Sequence, residues 1–275
     1  MMTGAWSDEW GPWGPPVPSR AKAEIKFLLA SGVAAARSLV GGPRGVAILN
    51  YHGTPRDRGH LWWHDFAGQM SWLDDHDYRV VGLGDVVAHV SGAATLPPRT
   101  VALTFDDGWS NNLDVAFPLL HRRGWPATVF VPSAFLDRRP FMTRDELREV
   151  VAMGFEVGNH THSHPDVSTL SGAALREEVR TCSSVLEDVL GVAPRYFCFP
   201  YGRYDPASRA IVAESGFAGA CSGRCAFNRQ GDDPFLLRRW LQEPGEGTRQ
   251  LAVRMAGGYG FLDLRQRSMD NGRRT

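Results

Sequence analysis

Two rhythms of apolar residues alternate along the chain. Short runs rich in β-branched and aromatic residues are separated by longer stretches in which apolar residues recur every three or four positions. VAILNYH (46–52), TVALTF (100–105), ATVFVP (127–132), FEVGN (155–159) and YFCFPY (196–201) predict strands. Between them, FAGQMSWLDDH (66–76) places Phe66, Met70 and Leu73 on one helical face. TRDELREVVAMG (143–154) opens on an N-cap threonine, carries Glu146 three residues later and stops at a glycine. GAALREEVRTCSSVLEDVLG (172–191) predicts a longer helix of the same kind. Strand alternating with helix implies a largely parallel sheet, and roughly seven such units in one α/β domain suggest a closed (β/α) barrel.

Ahead of this pattern, AKAEIKFLLASGVAAARSLV (21–40) repeats Ile25, Leu28, Leu29, Ala36, Leu39 and Val40 at the helical period, with Lys22, Lys26 and Arg37 largely elsewhere. Its purely apolar centre is too short to span a bilayer. An amphipathic helix packed on the domain is the expectation; the alternatives are a helix lying on a membrane surface and a displaced signal segment. Residues 1–20, rich in Pro, Gly and Trp, read as a disordered tail without a secretory signal, which favours the cytoplasm or the inner face of the membrane. The expected domain covers 21–262, with its core at 46–240, and a basic tail at 263–275.

Composition narrows the classes. With 43% hydrophobic and 22% charged residues the chain builds a substantial core. Thirty basic residues balance thirty acidic ones, so charge gives no argument for nucleic-acid binding. Cys182, Cys198, Cys221 and Cys225 are too few for a disulfide framework, and 221–225 lacks zinc-ribbon spacing; a structural role is expected, with a single disulfide or metal site as the alternative.

Polar residues cluster where the expected strands end: His52, Asp106 and Asp107, His160, and Tyr201. In parallel α/β folds that edge is where active sites assemble. In LTFDDGWSNN (103–112) two carboxylates stand side by side, and their repulsion calls for a cation, a proton or water. His160 and His164 are four apart and turn to the same side, whereas His162 turns away. Two imidazoles and a carboxylate form a ligand set typical of Zn²⁺ and related divalent ions. A metal would occupy one aspartate and leave its neighbour as a base. A helix N-cap accounts for only one of the two acids, and a Mg²⁺-dependent phosphoryl-transfer site would want phosphate-binding glycine loops rather than imidazoles.

TFDDG (104–108), HTHSH (160–164) and FPYG (199–202) resemble the first three motifs of the polysaccharide deacetylase family, the NodB-homology enzymes of carbohydrate esterase family 4. The resemblance runs from about Val46 to Trp240 and implies a distorted (β/α) barrel that removes N-acetyl groups from amino sugars of a polysaccharide, an oligosaccharide or a lipid-linked glycan. It implies Asp106 as general base, Asp107, His160 and His164 as ligands of a divalent metal (Zn²⁺, with Co²⁺, Ni²⁺ or Fe²⁺ as alternatives), and the Tyr201 N–H as an oxyanion donor. An O-acetyl esterase, another amide deacylase and a degenerate glycan-binding protein are the competing readings.

Two departures stand out. Cys198 occupies the place of the arginine that usually opens the third motif, and no histidine follows His164. NYHGTP (50–55) and LLRRW (236–240) resemble segments of a subgroup with circularly permuted motifs, typified by poly-N-acetylglucosamine deacetylases. That likeness implies His52 as general acid and Arg239 as the source of the displaced guanidinium. Trp240, Tyr51 and Pro200 are the residues expected to line the substrate pocket, with a place in the core as the alternative for Trp240.

Overall fold

The structure, a computed structural model, describes residues 20–39, 43–53, 61–243 and 246–260. The expected tails at 1–20 and 263–275 lie outside it apart from Arg20.

Helix α1 (Arg20–Leu39) precedes a succession of β1 (Ala47–Tyr51), α2 (Leu61–Asp75), β2 (Arg79–Val81), α3 (Leu83–Val90), β3 (Thr100–Phe105), α4 (Ala116–Arg123) and β4 (Thr128–Val131). There follow α5 (Arg144–Ala152), β5 (Glu156–Asn159), α6 (Gly172–Leu190), β6 (Tyr196–Cys198), α7 (Pro206–Glu214), β7 (Gly219–Cys221), β8 (Trp240–Leu241) and α8 (Thr248–Met255). The strands form one parallel sheet in the order β7-β6-β5-β4-β3-β1-β8, with β2 pairing β3 off that path. The sheet curls into a half-barrel. Among the described residues its two edges meet at the segment around 237–241, where Leu237 bridges Cys221 of β7 and Trp240 pairs Leu49 of β1.

The expected helix starts are built as capping predicts. Thr143 accepts from the Glu146 N–H while the Glu146 carboxylate accepts from the Thr143 N–H, and Ser171 caps α6. Along the strands, side chains alternate between two apolar cores. Leu49, Tyr51, Leu103, Phe105, Val129 and Val131 face outward into the layer of surrounding helices. Ile48, Ala102, Phe130, Cys198 and Cys221 share a second cluster inside the curl. Phe130 fills so much of that interior that a side chain at Gly158 would strike its ring. The inward register continues toward the C-terminal strand ends through Asn50, Thr104, Asp106, His160 and Arg239.

Helix α1 departs from expectation. The face it packs on the domain is the small-residue one, with Ala30 and Ala34 buried, while Ile25, Leu28 and Leu29 stand exposed.

Candidate active site

Asp106 directly follows β3 on the inward face and is almost fully buried. Arg239 approaches it as a bidentate fork, Nη1 to Oδ1 at 2.7 Å and Nη2 to Oδ2 at 2.8 Å. Asn50, one strand over on β1, donates Nδ2 to Oδ2 at 3.0 Å. Burial alone would raise the Asp106 pKa, but the Arg239 guanidinium, helped by His160 and His52, holds it well below the usual carboxylate range. Burial likewise works against charge on Arg239, and Asp106 outweighs it, so the guanidinium stays charged. His52 places Nε2 3.8 Å from Asp106 Oδ2, with its side chain still 38% exposed.

Asp107 turns the other way. Its backbone is left-handed (φ 70°), as is that of Gly108, which brings its carboxylate to the His160 and His164 rings rather than to Arg239. Oδ1 lies 3.6 Å from His160 Nε2 and 3.4 Å from His164 Nε2, and the two Nε2 atoms are 3.2 Å apart. Of the seven non-glycine residues with positive φ among those described, Asp107, Thr161, His164 and Tyr201 all belong to this site. Strained backbone concentrated in one place is a mark of positions held for function. His160 Nδ1 faces the Cys198 carbonyl at 2.7 Å; donating there leaves Nε2 with its lone pair. Burial, then the neighbouring His160, pushes His164 down to about 4, and burial lowers His160 as well. Both imidazoles are therefore neutral donors near neutral pH.

This arrangement fits a divalent cation. The Asp107 Oδ1 is buried without a hydrogen-bond partner. A tetrahedral ion with bonds of about 2.0–2.1 Å separates its ligand atoms by about 3.3–3.4 Å, and the three donors here are 3.2–3.6 Å apart. A second cluster, Asp106, His160 and Cys198, also brings donor atoms together. Arg239 occupies it, with Nη2 3.0 Å from the Cys198 sulfur, and a guanidinium there repels a second cation.

The polysaccharide deacetylase family model matches residues 93–220. IcaB from Ammonifex degensii superimposes with a TM-score of 0.72 at 28% identity, covering 78% of this chain and 98% of that one. Residues 93–220 are thus similar to the polysaccharide deacetylase family, and the chain shares the fold of IcaB. Among curated relatives, a putative polysaccharide deacetylase YxkH of Bacillus subtilis strain 168 is 22% identical over 204 residues, covering 74% of this chain and 73% of its own. A chitooligosaccharide deacetylase of Bradyrhizobium sp. strain ANU 289 is 37% identical over 123 residues, covering 44% of this chain and only 54% of its own. The Streptococcus pyogenes deacetylase PplD, in complex with acetate, shares the fold at a TM-score of 0.70 and 22% identity, over 78% of this chain and 99% of that one.

Against the family motif, the structure explains Cys198. Arg239 reaches Asp106 from the segment that closes the barrel, and the small thiol leaves the volume that the guanidinium fills. Tyr201 presents its ring 4.7 Å from that of His164 and is 48% exposed. Pro200, buried, starts the turn that carries it. The expected pocket roles of Tyr51 and Trp240 need correction. Tyr51 packs on Phe66 and Phe105 and donates to Gln69, and Trp240 packs on Phe227. Each neighbours an inward residue, so strand alternation puts both on the outer face, in the core. The cysteines are all free, which removes the disulfide alternative.

Two contacts went unexpected. Asn50 joins Asp106 to Thr104, whose hydroxyl lies 3.3 Å from Asn50 Oδ1. Trp109 donates Nε1 to Asp107 Oδ2 at 3.3 Å, and its ring lies against Gly53, where any side chain would collide with it. The only available signal for Trp109 is its place two residues beyond the aspartate pair.

Proposed function

We propose that this protein is a metal-dependent hydrolase that removes N-acetyl groups from the amino sugars of a glycan. The observation that carries the reading is the separation of two adjacent carboxylates: Asp106 is bound to a guanidinium, and Asp107 faces two neutral imidazoles with an unmatched oxygen. Asp107, His160 and His164 would hold the cation, and a mixed nitrogen and oxygen set suits Zn²⁺, with Co²⁺, Ni²⁺ and Fe²⁺ as substitutes. When bound, such an ion supplies a Lewis acid that makes water more acidic and draws electron density from an amide carbonyl.

The remaining chemistry rests on the chain's own groups. Asp106, kept ionised by Arg239, is always in the accepting form and takes the proton of the attacking water at a carboxylate oxygen. Its depressed pKa makes it a weak base, so it works only on a water already acidified. The Tyr201 N–H is the donor proposed for the oxyanion, a contact worth about 3–4 kcal/mol in comparable sites. His52, beside Asp106 and open to solvent, delivers a proton to the departing amine, so that water's hydroxyl ends on acetate and the sugar is released with a free amine. Arg239 restores the guanidinium missing from the third motif, which supports an active enzyme over a degenerate binder.

The test is acetate release by protein stripped with a chelator and reloaded with Zn²⁺, Co²⁺, Ni²⁺ or Fe²⁺, using N-acetylated chitooligosaccharides and matched O-acetylated sugars. Release from the amide substrates that disappears on stripping and returns with metal is expected. Release from esters alone overturns the amide reading, and no release with any metal overturns the hydrolase.

A further inference from the structure

Among the described residues, six large hydrophobic side chains are exposed, and four of them lie on α1: Ile25 (60%), Leu28 (65%), Leu29 (61%) and Leu39 (88%). Helical spacing puts them on one face with Gly32, Ala35 and Ala36, all exposed, so the outward stripe from Ile25 to Leu39 contains no polar residue and is roughly 20 Å long. Its opposite face is already used, since Ala30 and Ala34 are buried where α1 packs on α8 and on the turn at Gly258–Gly260. The polarity of an ordinary surface helix is thus reversed. Exposed apolar surface of this extent marks a place where something else binds.

Charge indicates what binds. In a chain with no net charge, α1 carries Arg20, Lys22, Lys26 and Arg37 against Glu24 alone. Lys26 and Arg37 fall within about 20° of one another on the helix, along one border of the stripe, where Lys26 lies 3.8 Å from Glu243 and 5.6 Å from the centre of the Tyr259 ring. At the other border, Arg249 of α8, exposed, sits over the Phe27 ring at 4.9 Å. A second copy docking stripe to stripe with its helix antiparallel would bring the two Lys26 and Arg37 borders together. An interface of anionic lipid headgroups over acyl chains matches both features. No helix of the described residues is long and apolar enough to cross a membrane, so the fitting geometry is a helix lying in the interface.

We propose that α1 docks the protein on anionic lipid surfaces through Ile25, Leu28, Leu29 and Leu39, with the basic residues beside the stripe meeting the headgroups. This inference does not depend on the proposed reaction, and its test needs no activity. The full chain is sedimented with vesicles of phosphatidylcholine alone or mixed with phosphatidylserine. Binding to the mixed vesicles, weakened by salt, is expected, with a drop on the order of tenfold or more for Leu28→Glu combined with Leu29→Glu. Leu39→Glu, at the most exposed position, gives a second variant, and an unchanged circular dichroism spectrum and melting temperature show that each still folds. Sedimentation with neither vesicle, or equal binding by wild type and folded variants, overturns the proposal. A concentration-dependent dimer in light scattering that these substitutions dissolve, without vesicle binding, assigns the stripe to a second copy and overturns it equally.

Discussion

Asp106 and Asp107 share a peptide bond and little else. Every oxygen of Asp106 is matched by a donor, two from Arg239 and one from Asn50, deep inside the curl. Asp107 sits partly open, with one oxygen on the Trp109 indole and the other facing two imidazoles. The first arrangement compensates a carboxylate's charge within the fold; the second leaves a carboxylate short of positive charge, which a cation would supply. Repulsion between adjacent acids is thus relieved twice, by different means, and the left-handed turn at Asp107 keeps the two solutions apart.

The sharpest way to break the comparison is to neutralise each acid in turn. Asp106→Asn keeps the shape and the ligand set, so metal should remain bound while kcat falls by about 10²–10⁴, the range for a lost general base. Asp107→Asn and His164→Ala should lose metal and activity together. Elemental analysis beside acetate release decides the matter. If Asp106→Asn lost its metal as Asp107→Asn did, the two aspartates would not be doing separate work.

Arg239 tests the permanent half. Removing one partner of a buried ion pair strands the other's charge, so Arg239→Met should cost about 3–5 kcal/mol in urea denaturation. Adding Asp106→Asn should recover much of that loss, because the stranded charge is then gone. Failure of the second change to rescue the first would mean that Arg239 acts chiefly through its contacts with Cys198, Thr104 and the Ser222 carbonyl.

These contrasts were unevenly legible in the sequence. The strands at β1, β3 and β4 could be read because burial on both faces leaves largely apolar runs. β2, β7 and β8 are only two or three residues long, too short to show any period. The aspartate pair and the histidines carry their chemistry in their spacing. Asn50 and Trp109 act singly through strand register, and register becomes visible only once neighbouring strands are in place. Periodicity in α1 grouped Ile25, Leu28 and Leu29 correctly but could not say which face pointed outward. Tyr51 and Trp240 show the same limit within strands, where one residue separates the site from the core.

The open half can be probed through pH. In metal-free protein His164 is held at about 4, against an ordinary 6.5, mainly by burial. Between those values the unfolded chain binds the proton and the folded one does not, so stability falls as pH falls through that window. Between pH 7.5 and 4.5 metal-free wild type should lose about 2–3 kcal/mol more than metal-free His164→Gln, measured by urea denaturation. An equal loss in both would show that His164 is not held neutral by the fold.

Trp109 gives the smallest and most discriminating effect. Its indole N–H holds Asp107 Oδ2, which leaves Oδ1 toward the imidazoles, while its ring packs on Phe141 and Gly53. Trp109→Phe keeps much of the ring packing and deletes the donor. Loss of a group that orients a metal ligand typically weakens affinity by about 10–100-fold, so a competition titration against a chelating indicator should register that drop. At saturating metal kcat should change far less, because Asp106, Arg239 and His52 are untouched. If affinity held, the left-handed backbone at Asp107 would be enough to aim the carboxylate by itself, and the indole would serve only to pack against Phe141 and Gly53.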